Sequence, residues 1–116
     1  MNPYYNKLKS METSIPENYS EKNLETLEDT VDRYNFIINV MAKNDEEDNT
    51  QFTKERVVDI EEDLKNAKYG ATEKQREKSY YHARKTIIQG IGALMNILKD
   101  EEEETENIED ENKENQ

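Results

Sequence analysis

From Thr72 to Asp100 the chain carries one continuous helix-compatible pattern, and no other stretch offers as much surface for burial. Tyr80, Ile87, Ile91, Leu94 and Leu98 recur at helical spacing. Tyr81, Ile88 and Met95 widen this stripe to roughly a third of the circumference at ~100° per residue. Apolar surface of that width must be covered, so the spacing predicts a core-facing helix on which the other elements pack. Thr72 and Gln75 have the separation of a capping box, in which the Thr hydroxyl accepts the Gln75 N–H and the Gln side chain reaches back, placing the helix start. Gly90 and Gly92 each cost about 1 kcal/mol relative to Ala inside a helix. Close approach of a neighbour would offset that cost; the alternative reading is a bend.

The cleanest periodicity lies from Ser20 to about Asn44. Leu24, Leu27, Val31, Tyr34, Ile38 and Met41 are separated by three, four, three, four and three residues, the alternation of a heptad seam. Phe36 and Val40 fall roughly opposite that seam. Together with Ile37 they make the second half of this helix apolar on two sides, either to cover Tyr4, Tyr5, Leu8 and Met11 or to form a dimer or partner surface. Asn2 and Pro3 could cap and open a short N-terminal helix that places those four residues on one side. Ser14-Ile15-Pro16-Glu17 reads as a connection, with Ser14 as a capping candidate.

Asp45-Glu46-Glu47-Asp48-Asn49 breaks the pattern and predicts a solvated loop. It is not a calcium loop, because Thr50 stands where Gly is needed and Arg56 where the twelfth-position Glu is needed. A further helix of four or five turns is expected from Thr53, with Val57, Ile60, Leu64 and Ala67 inward and Gly70 as its C-terminal cap. Gly70-Ala71 is so short a connection that this helix and the next must be antiparallel neighbours or a sharply angled pair.

These elements predict an all-α fold: a small antiparallel bundle of three main helices plus a short N-terminal helix over residues 1–99, followed by a disordered acidic tail over 100–116. With 116 residues, 32% hydrophobic against 38% charged, only a modest core can form. The net charge is −12, of which residues 100–116 hold −9, so the body is nearly balanced at −3. That distribution argues against a folded surface imitating DNA throughout. Cysteine is absent, which excludes disulfides and Cys-based zinc sites. The start of the chain has no basic region followed by an apolar run, and Ile87–Leu98 is far short of the ~20 residues of a membrane span, so a cytoplasmic protein without membrane contact is expected.

Reactive chemistry has little to draw on. His82 is the single histidine and falls on the face away from the apolar stripe, and no Ser or Cys is placed as a nucleophile by any motif. Gly70, Gly90 and Gly92 fit no phosphate-cradling spacing. No catalytic residue, metal site or cofactor is assigned. The most distinctive composition is at the start of the last helix, where Lys74, Arg76, Lys78, Tyr80, Tyr81, Arg84 and Lys85 interleave cations with aromatics. From Thr72 to Lys99 six Lys/Arg face two Glu, a net of +4 within an acidic chain. Such a segment can bind single-stranded nucleic acid or a nucleotide by phosphate contacts and stacking. The plainer account is that it neutralises the neighbouring helices and the Asp45–Asp48 loop.

In general character the chain resembles the small acidic proteins that phages and other mobile elements use against host machinery, among them DNA mimics and inhibitors of defence systems. The resemblance is one of composition and implies no particular residue. The expectation is a non-enzymatic helical interaction protein that binds a protein partner through Phe36, Ile37 and Val40 and modulates or inhibits it, with homo-oligomerisation as a further outcome of two-sided helices. A nucleic-acid or nucleotide binder is the rival, and a virion assembly or chaperone role a third alternative.

Overall fold

The computed structural model describes residues 3–44 and 55–114, the side chains of residues 3, 44 and 100–114 excepted. The described residues form four helices: α1 (Pro3–Ser14), α2 (Glu21–Asn44), α3 (Glu61–Tyr69) and α4 (Glu73–Glu114). No strand occurs among the described residues. The expected cap at Asn2, the Asp45–Asn49 loop and the Thr53 helix start lie outside them.

α4 is the spine. Forty-two residues at ~1.5 Å each give about 63 Å, which accounts for the 67 Å long axis of the chain. Its start is the expected one, with the Gln75 N–H donating to Thr72 Oγ1 at 3.1 Å. Tyr80, Ala83, Ile87, Ile91, Leu94 and Leu98 are buried, whereas Tyr81 is 45% exposed and does not belong to the inward stripe. Among the residues of α4 whose side chains are described, the last buried one is Leu98, and the backbone continues in helical register past Asp100 to Glu114. Glu is a strong helix former, which offsets the unfavourable placement of acids towards a C-terminus.

α2 opens at Ser20, whose Oγ accepts the Asn23 N–H at 3.0 Å. The seam is buried as its spacing predicts: Leu24, Leu27, Val31, Tyr34 and Ile38 all lie in the core, with Met41 packed against it. Thr30 is buried too, its hydroxyl donating to Thr26 O at 2.9 Å. α1 contributes Leu8 to the core, with Tyr4, Tyr5 and Met11 partly buried around it. Ser14 does not open a helix; its hydroxyl donates to Met11 O at 2.9 Å and belongs to the end of α1. Ile15, expected within a plain connection, is a buried core residue. The Pro16 carbonyl beside it accepts both Tyr80 Oη–H at 2.7 Å and Arg84 Nε–H at 3.0 Å, pinning the α1–α2 connection to α4.

The third helix is half as long as its periodicity suggests. α3 begins at Glu61, and Val57–Ile60 run non-helically across α2. The Asn35 carboxamide satisfies both backbone groups of Val58 there, giving that segment the hydrogen bonds a helix would have given it. β-branched Val57 and Val58 gain by the extended conformation. Asp59 then closes the segment by accepting the Glu61 N–H at 3.1 Å. α3 and α4 form an antiparallel hairpin through Gly70–Thr72. Gly70 caps α3 with its N–H on Asn66 O at 2.8 Å and without a positive φ. A Cβ at Gly70 would stand 2.6 Å from Asn66 O, so the turn requires glycine.

Candidate functional site: an open groove and a basic helix back

α1 and α2 cross so that a groove of about 540 Å³ remains between them, lined by Lys7, Met11, Asp32, Arg33, Phe36 and Ile37 among others. Phe36 is 68% exposed on its wall. Covering Tyr4, Tyr5, Leu8 and Met11 is therefore not what Phe36 does. Its neighbour Ile37 is 7% exposed, belongs to the core and floors the groove, so it is far less exposed than Phe36. Val40 is half-buried. An apolar centre of Phe36, Met11 and Ile37 ringed by Lys7, Asp32 and Arg33 has the arrangement of a protein interface, dry in the middle and charged at the rim.

The seven residues of the basic aromatic segment are divided by the fold. Tyr80 is 0% exposed, stacked edge-on against Tyr19 and Tyr81 with centroids 5.7 Å away in each case. Its hydroxyl is committed to Pro16 O, so it cannot stack a base. Burial pushes the Tyr80 phenol above its usual range, opposed by the nearby Arg84 guanidinium. Arg84 itself holds Pro16 O, and Arg76 donates to Gly70 O at 2.8 Å. The remaining four, Lys74, Lys78, Tyr81 and Lys85, are exposed and share one face of α4. A salt bridge to α2 comes from α3, where Lys68 Nζ meets Glu28 Oε2 at 3.0 Å; that hydrogen bond raises the Lys68 amine above its usual range.

His82 faces one carboxylate, its Nδ1 lying 2.5 Å from Asp63 Oδ2 across the α3–α4 hairpin, with the imidazole largely in solvent. Asp59, Glu61, Glu62 and Lys65 surround a shallow depression there. Among the described residues no group of three or more His, Asp or Glu side chains is placed to hold a metal ion, and no helix is long and apolar enough to cross a membrane.

Asn35 and the α1 side of the groove were not singled out by periodicity. A polar residue between seam positions signals nothing until its partner is known, and Lys7, Asp32 and Arg33 are surface charges like many others. The chain matches no protein-family model, no curated protein and no solved structure.

Proposed function

We propose that this chain is a non-enzymatic interaction protein that seats an amphipathic segment of a protein partner in the α1–α2 groove and thereby modulates or inhibits that partner. The observation that carries the reading is Phe36, a large aromatic left 68% exposed on the wall of a groove with an apolar floor. Aromatic residues at the centre of such patches supply much of the energy of protein contacts, while charged rims set orientation and partner choice. Here Lys7 and Arg33 oppose Asp32, so a partner helix bearing both signs beside one apolar ridge complements the rim. In the setting its composition resembles, the partner is a component of host machinery.

The test is affinity capture from native cell extract with and without nuclease, using the wild-type chain and Phe36→Ser. A partner retained after nuclease and lost with Phe36→Ser supports the reading. Capture unchanged by Phe36→Ser, or abolished by nuclease, overturns it.

A further inference from the structure

The back of α4 carries cations that the fold does not pair. Lys74, Lys78, Tyr81 and Lys85 follow one another at intervals of four, three and four residues. At ~100° per residue they occupy one narrow face, opposite the buried Tyr80–Ile87–Leu94 side, and all four are exposed. Gln89, Gly92 and Asn96 continue the face at the same spacing, so none of its positions from Lys74 to Asn96 is acidic or aliphatic. The plainest use of such cations would be to neutralise the acidic faces of neighbouring helices. Lys68 on α3 does so by meeting Glu28, but Lys74, Lys78 and Lys85 have no ion pair among the described residues. Lys74 and Lys78 also stand one turn apart, where like charges oppose helix formation.

The same face holds one aromatic platform. Tyr81 is 45% exposed, and its ring meets that of buried Tyr80 edge-on at 5.7 Å with the planes 74° apart. Tyr80 is fixed in turn by its hydrogen bond to the Pro16 carbonyl, so the Tyr81 ring is positioned before any ligand arrives. Gly92, two turns beyond Lys85, has no atom of the chain within 4 Å of where a Cβ would be. It opens the helix backbone to close approach from outside. A protein interface or a membrane surface asks for an apolar centre, which this face lacks. Spaced cations around one aromatic ring are complementary instead to a chain of phosphates whose bases are free to stack.

We propose that this face of α4 binds a single strand of nucleic acid, DNA and RNA alike, with Lys74, Lys78 and Lys85 on its phosphates and Tyr81 stacked on a base. From Lys74 to Lys85 the cations span about 16 Å along the axis, the reach of a few nucleotides. A duplex would keep its bases stacked on one another and away from Tyr81. The acidity of the chain does not oppose this binding. Residues 100–116 hold −9 of the net −12, and Asp100 lies about 22 Å along the helix from Lys85, beyond the ~8 Å screening length at physiological salt. The α1–α2 groove is built by other elements, so the proposal stands or falls apart from the partner reading above.

Fluorescence anisotropy of short labelled oligo(dT) and oligo(U), titrated with the full chain over a series of salt concentrations, tests it. Both strands should bind, and more tightly than duplex DNA, with log Kd rising against log salt by about 2, since each of the three phosphate contacts contributes about 0.7. Lys78→Ala/Lys85→Ala should bring that slope to about 0.7. Tyr81→Ala should weaken binding about tenfold with the slope unchanged, and Tyr81→Phe should retain it. Circular dichroism verifies that each variant keeps its helices, and Phe36→Ser should bind the strands as wild type does. Failure of both strands to bind at low salt overturns the proposal, as does binding indifferent to the lysine substitutions, binding of one sugar type alone, or loss of binding in Phe36→Ser. Displacement of the strand by polyglutamate as readily as by unlabelled oligo(dT) also overturns it and assigns the face to an acidic protein segment.

Discussion

Asn35 holds Val58 by both backbone groups at once: its Nδ2 donates to Val58 O and its Oδ1 accepts the Val58 N–H, each at 2.8 Å. A side chain on α2 thereby does for the segment before α3 what a neighbouring strand would do. Asn35→Leu removes both bonds from a partly buried peptide that has no other described partner. The cost of the lost bonds and of the polar groups left behind is about 1–3 kcal/mol. Urea denaturation should show a lower midpoint with an unchanged slope; a shift under about 0.5 kcal/mol would mean that the segment is held by something else.

The two helix-interior glycines separate on the same grounds. A Cβ at Gly90 would stand 2.9 Å from Val58 Cγ2 and 3.4 Å from Tyr34 Oη, and Val58 cannot retreat freely because Asn35 fixes its backbone. Close packing is thus the reason for Gly90, while Gly92 has no such neighbour. Gly90→Ala should destabilise by about 1–2 kcal/mol despite better helix propensity. Gly92→Ala should stabilise by up to about 1 kcal/mol. Equal effects of the two substitutions would contradict the geometry.

Tyr34, Tyr80 and Lys68 each have a pKa raised in the folded state, a direction that predicts lower stability at alkaline pH. Tyr34 is buried with its hydroxyl 2.9 Å from Arg56 O and 3.2 Å from Gly90 O, one proton serving the two carbonyls. Burial raises its pKa and that of Tyr80, and the hydrogen bond to Glu28 raises that of Lys68. In all three the folded state favours the protonated form. Their contribution is complete below the unfolded values of 10.0 and 10.5 and is lost as pH rises through the folded ones. Thermal melts should therefore fall steeply above pH ~10, and Tyr80→Phe should be less stable at neutral pH but lose less between neutral and alkaline pH. A parallel decline in both proteins would remove Tyr80 from this account.

The seam of α2 and the inward stripe of α4 were legible because burial imposes a period, and Leu24 to Ile38 and Tyr80 to Leu98 repeat it without a break. Periodicity failed at Val57 and Ile60, which keep helical spacing with Ala67 although Val57–Ile60 are not helical. The competing hydrogen bonds come from Asn35, more than twenty positions away, and no local pattern reports a contact of that range. The basic segment was legible as composition only. Which of its cations face solvent was decided by the Pro16 carbonyl, to which Tyr80 and Arg84 are bound.

Adjacent positions on α2 should give opposite phenotypes. Phe36 is 68% exposed and Ile37 is 7% exposed, so truncation of the first removes contact surface and truncation of the second empties part of the core. Phe36→Ser should leave stability within about 0.5 kcal/mol of wild type, as exposed substitutions do. Ile37→Ala should cost about 2–5 kcal/mol through lost burial and the cavity left behind. If the groove is the working surface, partner capture disappears with Phe36→Ser at full stability. It survives a conservative Ile37→Val, which keeps the floor filled. Phe36→Ser that unfolds the chain would instead make Phe36 a structural residue, and the groove would lose its claim as a docking surface.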